Sequence, residues 1–175
     1  MTHSVINSDR LDLVTLGPDT LRAVLADDAD AAGALLDTEV PADWPSIVPA
    51  AIRLLQLEAD PAHEPWLTRA VVDRDERRAI GVAGFHSPPD GRACVEIGYE
   101  ILPENRRRGY AREAALALAG WAHATGEAKI LRACVAPDNT PSLTMVASLG
   151  FAEVGAQIDD EDGPELIFER ALPLA

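Results

Sequence analysis

Three consecutive arginines, Arg106-Arg107-Arg108, stand directly before Gly109 in a chain that carries 29 acidic against 15 basic residues and a net charge of −14. The segment around them runs Glu96-Ile97-Gly98-Tyr99-Glu100-Ile101-Leu102-Pro103-Glu104-Asn105, then the arginines, then Gly109-Tyr110-Ala111. It reads as a strand, a basic turn opened by proline, and the start of a helix. A helix N-terminus presents unpaired backbone N–H groups and the positive end of the dipole. Set after a strand, such an end suits a phosphate. Gly109 would let the backbone approach an anion closely, and the three guanidinium groups would add charge. The pattern therefore points to a local anion site on a repelling background. Alone, Arg-x-x-Gly-x-Ala leaves a solvated basic loop before an ordinary helix equally open.

Other residues could do chemistry beside it. Glu96 and Glu100 lie four positions apart, so on one face of a strand. Either could accept a proton, or simply pair with an arginine at the surface. Asn139 opens a helix within Ala136-Pro137-Asp138-Asn139-Thr140-Pro141-Ser142 and suits an N-cap. His86 closes a strand and reads as a turn histidine or as a base facing an acceptor. Trp44 and Trp66 fit core packing or an acceptor wall. Cys94 and Cys134 each sit in an apolar run and read as buried free thiols, and no clustered Cys/His pattern suggests a metal.

The elements that must position these groups are legible from periodicity. Arg10–Leu16 alternates like a short strand, and Pro18-Asp19 opens a helix with Leu21, Val24 and Leu25 on one face. Asp30–Leu36 and Trp44–Leu57 read as two more helices. Strands follow at Trp66–Val72, Ala79–His86 and Ala93–Leu102. Gly81 and Gly84 weaken the second of these but permit close approach by neighbours. Next come helix Tyr110–Thr125, strand Lys129–Val135, helix Thr140–Leu149, and strands Phe151–Gln157 and Glu165–Leu172. The order is helices, an antiparallel meander, then β-α-β-α-β-β, which implies one α/β domain with a local parallel pair in a mixed sheet.

The chain has 175 residues, enough for one sizeable core, and a pI near 4.5. So acidic a surface repels phosphate backbones and anionic lipid, which argues against nucleic-acid and membrane partners. The first 65 residues hold 12 acidic and 3 basic residues, and Asp159-Asp160-Glu161-Asp162 forms a second cluster. No apolar run spans a membrane and the polar start lacks a secretory core, so a cytoplasmic location is expected.

Taken together, the loop, the Pro137-Asp138-Asn139 turn and the closing Leu149-Gly150-Phe151 resemble the GNAT acetyltransferases. The pyrophosphate loop of that family has the form Gln/Arg-x-x-Gly-x-Gly/Ala. The likeness is dense over about residues 79–157 and strongest to the ribosomal-protein N-terminal (alanine/serine) acetyltransferases. It implies an α/β fold with a mixed, mostly antiparallel central sheet, a splayed parallel pair and flanking helices. It implies a single domain over 1–175, with 1–65 on the acceptor side, 66–157 as cofactor-binding core and 158–175 as acidic loop and last strand.

The resemblance further implies acetyl-CoA as co-substrate, no metal, and attack by an amine in a ternary complex. Backbone groups of Tyr99, Glu100 and Ile101 would hold the pantetheine arm, an N–H near Tyr99 polarising the thioester carbonyl. Arg106 and the amides of Arg107, Arg108, Gly109, Tyr110, Ala111 and Arg112 would hold the pyrophosphate. Asn139 would reach the pantetheine side, Glu96 or Glu100 would take the amine's proton, and Ser142 would donate to the sulfur or bond the cofactor. Many relatives place a tyrosine general acid where Val146 stands here. The expected acceptor is a cationic small molecule or a peptide N-terminus, gripped by the acidic rim. Homodimers are common among such proteins. A non-catalytic acyl-CoA-binding module and an acidic adaptor are the alternatives.

Overall fold

The computed structural model describes residues 4–160 and 163–174. Eight strands occur in it: β1 (Val5–Asn7), β2 (Leu11–Thr15), β3 (Arg69–Asp73), β4 (Arg78–Phe85), β5 (Cys94–Ile101), β6 (Ile130–Val135), β7 (Ala152–Asp159) and β8 (Gly163–Ala171). The α-helices are α1 (Pro18–Leu25), α2 (Ala29–Leu36), α3 (Ala50–Ala59), α4 (Tyr110–Thr125) and α5 (Thr140–Ser148). The strand order is β1-β2-β3-β4-β5-β6-β8-β7, and β5–β6 pair in parallel. This is the mixed, mostly antiparallel α/β sheet that the resemblance implied. The chain forms two compact units, residues 1–88 with 98–118 and residues 89–97 with 119–175.

In the first unit, β1 to β3 pair as an antiparallel meander, with Leu13 opposite Val71 and Leu11 opposite Asp73. β1 escapes a reading for periodicity because three residues cannot display an alternation. Helices α1 to α3 cover the sheet through Leu21, Val24, Leu36, Trp44 and Leu57, which pack with Ala70, Val72 and Val82. The buried Trp44 indole donates to the Gly81 carbonyl at 2.9 Å, so its one polar atom is satisfied. Trp66 is buried too and packs on Phe85 at a ring separation of 5.7 Å. Both tryptophans therefore serve the core.

The helix expected over Trp44–Leu57 is two pieces, a 3₁₀ turn at Trp44–Ile47 and then α3. Pro49 explains the break: it has no N–H to donate, and it forces Val48 into extended backbone (ψ 123°). The glycines of β4 act as their positions suggested. A Cβ on Gly81 would lie 2.4 Å from the Glu100 carbonyl oxygen, and one on Gly84 would lie 2.5 Å from that of Leu67. Gly81 thus lets β4 press directly against the end of β5.

In the second unit, β6 pairs with β8, and β8 with β7, both antiparallel. The β5–β6 ladder covers only Cys94–Glu96 against Ile130–Arg132, although β5 continues to Ile101. Arg92 and Arg132 both donate to Glu169, and together they hold its carboxyl below the ordinary range. Helix α5 ends at Gly150 (φ +72°), whose left-handed backbone a glycine adopts without strain. The acidic cluster read at 159–162 is described only for Asp159 and Asp160; Glu161 and Asp162 lie outside the described residues. Among the described residues, no helix is long and apolar enough to cross a membrane.

Candidate active site

The loop of interest lies wholly in the first unit. β5 ends at Ile101, and the Leu102 N–H donates to the Ile80 carbonyl. A single 3₁₀ turn, Pro103–Asn105, then redirects the chain. Asn105 is buried there, and its Oδ1 has no hydrogen-bond partner. Arg107 (φ +61°) and Gly109 (φ +82°) both take left-handed backbone, and α4 begins at Tyr110. The Glu113 N–H donates to the Gly109 carbonyl at 3.0 Å, which makes Gly109 the cap. The amides of Tyr110, Ala111 and Arg112 are therefore first-turn donors with no intrahelical acceptor. Two left-handed residues before such a turn make a concave set of N–H groups, and that donor set fits a diphosphate.

The arginines divide their duties in a way the sequence did not show. Arg106 turns back: its Nε donates to the Ile101 carbonyl at 2.8 Å, and its guanidinium lies 3.6 Å from the Glu100 carboxylate. It therefore braces the loop against the strand end. The Arg108 side chain works to lower the Tyr110 phenol, against the larger effect of Asp73. The Arg108 carbonyl receives both terminal nitrogens of Arg10, at 3.2 Å each. Arg107 and Arg112 are exposed.

Beneath the loop lies a network of charged groups. The Tyr110 hydroxyl donates to Asp73 Oδ2 at 2.7 Å, and the N–H groups of Asp75 and Glu76 donate to Oδ1. Burial works to raise the Asp73 carboxyl, but these donors outweigh it and hold it below the ordinary range. The same hydrogen bond is the main reason that the Tyr110 phenol is raised. Glu113 accepts from Ser8 Oγ at 2.7 Å, from the Arg10 N–H at 2.8 Å and from Arg10 Nε at 2.7 Å. Burial would raise Glu113, and these bonds lower it further than burial lifts it.

In the second unit, Asn139 caps α5, with its Oδ1 accepting from the Ser142 N–H at 3.2 Å. Capping uses the oxygen and leaves the side-chain NH₂ as a donor. Ser142 is half-buried, and Val146 is 1% exposed and belongs to the core. Glu96 is half-buried and stands in register with Arg132. Its charge also acts on the Cys134 thiol, which burial first and Glu96 second push up to about 12. A thiol so raised is no nucleophile.

A GNAT acetyltransferase domain model matches residues 20–152. The chain belongs to the GNAT acetyltransferase family. A curated relative, an uncharacterized N-acetyltransferase (YoaA) of Bacillus subtilis, is 33% identical over 47% of this chain and 46% of its own length. The chain spans about half the length of the curated relatives it matches. Among solved structures, the ribosomal-protein-S5-alanine acetyltransferase of Vibrio fischeri superposes with a TM-score of 0.68 at 18% identity, covering 96% of both chains. The microcin C7 self-immunity acetyltransferase MccE, solved with acetyl-CoA and AMP, superposes with a TM-score of 0.67 at 17% identity over 95% of this chain and 94% of its own. At these identities the structures speak for the fold.

Of the residues that a GNAT pattern singles out, Tyr99, Glu100, Ile101 and Arg106 to Arg112 are in the first unit. Glu96, Asn139 and Ser142 are in the second. His86 is exposed, its ring lies over Gly98, and its carbonyl accepts from Arg53 and Gln56. The residues the sequence reading passed over are Ser8, Arg10, Asp73, Asn105 and Glu113. No local signal marks them: Ser8 looks like a turn residue, Arg10 like the start of a strand, and Glu113 like a solvated helix position. The acidic rim is in part consumed by ion pairs, among them Asp19–Arg22, Asp37–Arg77 and Glu39–Arg78. Asp30, Asp37, Glu39 and Glu76 line a depression of about 550 Å³ with Arg77, and no residue of 99–112 lines it.

Proposed function

We propose that this GNAT protein moves an acetyl group from acetyl-CoA to a primary amine by direct attack in a ternary complex. The observation that carries the reading is the loop geometry: left-handed Arg107 and Gly109 ahead of first-turn amides at Tyr110, Ala111 and Arg112. Those amides, with Arg107 and Arg112 beside them, hold the diphosphate. By resemblance, the backbone of Tyr99, Glu100 and Ile101, which follows the Cys94–Glu96 register with β6, takes the pantetheine arm. An N–H near Tyr99 then polarises the thioester carbonyl where negative charge develops. By resemblance, Asn139 and Ser142 serve the same cofactor.

Of the two carboxylates, Glu96 suits the role of base. Glu100 is exposed and tied to Arg106, which itself braces the loop, whereas Glu96 is half-buried. Accepting the amine's proton at Glu96 Oε is the one proton transfer that the protein must supply. With Val146 in the core at the position of the relatives' tyrosine, the leaving thiolate is met by Ser142 or by solvent. A serine hydroxyl is a weak acid, so positioning of two bound reactants supplies much of the rate. The acceptor proposed is a peptide N-terminus or a small cationic amine, drawn by the negative field of the chain.

The test is calorimetric titration with acetyl-CoA, beside the double variant Arg108→Glu/Gly109→Asp. Saturable binding in the wild type, absent from the variant, supports the loop as cofactor site and opens a screen of basic peptides and polyamines. Turnover that drops about 100-fold in Glu96→Gln, with acetyl-CoA affinity unchanged, assigns the base. No binding at millimolar ligand sinks the reading.

A further inference from the structure

We propose that Arg10, in the turn between β1 and β2, is a positioning residue for the loop, fixing the Arg108–Gly109 peptide in its diphosphate-binding orientation. The proposal rests on the acetyl-CoA reading above. Both terminal nitrogens of Arg10 point at the Arg108 carbonyl, at 3.2 Å. In a planar trans peptide the C=O and the next N–H point in opposite directions. Anchoring the Arg108 oxygen on Arg10 therefore turns the Gly109 N–H away from Arg10, to the side open to a ligand. Without the anchor this peptide can flip, since φ is unrestricted at glycine.

Arg10 is itself held from three sides. Glu113 takes its backbone N–H and its Nε, and the guanidinium carbon lies 4.5 Å from the centroid of the Tyr110 ring. Ser8 Oγ shares Glu113 Oε1 with the Arg10 N–H, and Asp73 accepts from the Tyr110 hydroxyl. Glu113 and Tyr110 both belong to the first turn of α4, so the clamp grips the helix start and the loop at once. The Arg10 charge is matched by Glu113, and the net field of the pair at the loop is small. What Arg10 supplies is geometry, with a fork of donors that a lysine cannot reproduce.

The test measures dissociation constants by calorimetry for coenzyme A and for S-acetyl-pantetheine, which lacks the diphosphate. The proteins are wild type, Arg10→Ala, Arg10→Lys and the double variant Arg10→Ala/Glu113→Gln, each with its thermal midpoint. Fixing one residue's backbone corresponds to roughly a tenfold change in an equilibrium constant. Arg10→Ala is expected to weaken coenzyme A about tenfold and leave S-acetyl-pantetheine within twofold. Arg10→Lys recovers only part of the loss. The double variant, which removes the Glu113 carboxylate that pairs with Arg10, keeps the loss, which separates positioning from the charge of that pair. Coenzyme A affinity within twofold of wild type in Arg10→Ala, with Gly109→Asp still abolishing binding, overturns this inference and leaves the cofactor reading standing. Equal weakening of both ligands overturns it as well, since a merely structural role acts on both. If Arg10→Ala does not fold, Arg10→Lys and Glu113→Gln carry the same comparison. Absence of binding in the wild type overturns both proposals.

Discussion

Gly81→Ala reaches the cofactor strand through a single methyl group. The new Cβ would meet the Glu100 carbonyl oxygen at 2.4 Å, Ile101 Cδ1 at 2.7 Å and Ile101 Cα at 3.1 Å. A carbon and a carbonyl oxygen settle no closer than about 3.3 Å, so the strands must separate by close to 1 Å. The Ile101 side chain can swing aside, but the other two contacts are backbone and have no rotamer to change. Overpacking of this kind costs about 1–3 kcal/mol, against which the reduced freedom of the unfolded chain returns about 0.5–1 kcal/mol. The net loss expected is ~1–2 kcal/mol, a fall of roughly 2–8 °C in Tm for a chain of this length. The displaced groups are Glu100 and Ile101, the backbone proposed to hold pantetheine, and a 1 Å misplacement there can lower turnover about 100-fold. Urea unfolding and acetyl-CoA titration on the same preparation measure both effects. Gly120→Ala is the control, because Gly120 is exposed in α4 with nothing within 4 Å of its added Cβ. There alanine should stabilise by up to ~1 kcal/mol and leave binding alone. A Gly81→Ala protein within ~0.5 kcal/mol of wild type, with unchanged affinity, would refute the close contact between β4 and β5.

Gly109→Ala places a side chain at φ +82° and should destabilise by about 1–2 kcal/mol, with weaker acetyl-CoA binding seen in the same titration. Asp73 titrates below its ordinary value of 3.8 in the folded chain, so its contribution is complete above that value and is lost as pH falls through the lower folded one. Stability measured from pH 6 downward should therefore drop at acid pH in the wild type, and Asp73→Asn should show a shallower drop. Cys134, with its thiol near 12, should resist a thiol reagent at pH 8 in the native protein, where its thiolate fraction is on the order of 10⁻⁴. Rapid labelling of Cys134 under those conditions would contradict the burial that, with the Glu96 charge, raises the thiol.

How much was legible in the sequence depended on how far apart the cooperating residues stand. Helix α4 was read at its true limits because Gly109 and Gly126 bracket an unbroken apolar period. Gly81 and Gly84 declared a close approach, though not what approaches. The 3₁₀ turn at Trp44–Ile47 was misread because apolar spacing outweighed Pro49, whose missing N–H decides the matter locally. Arg106 was legible as a charge and not as a brace, since its partners depend on the turn at Pro103–Asn105. The clamp made by Ser8, Arg10, Asp73, Tyr110 and Glu113 was invisible for a plainer reason. Its members are drawn from three distant segments, and no periodicity links a turn before β2 to the first turn of α4.

That separation along the chain also sets an order in time. The compact unit that contains the loop is complete at residue 118, when the other unit has only residues 89–97 of its sheet. Ser8 and Arg10 are made first and must wait more than a hundred residues for Glu113. Such long-range closure is slow, and on a ribosome the delay lasts several seconds. During that interval Arg10 has neither Glu113 nor the Arg108 carbonyl to hold it. When Glu113 joins the chain, β6 has not yet been synthesised, and Cys94–Glu96 have no parallel partner. Every member of the clamp is thus made before the parallel partner of β5, so a substitution that delays the clamp should be felt in soluble yield as well as in cofactor affinity.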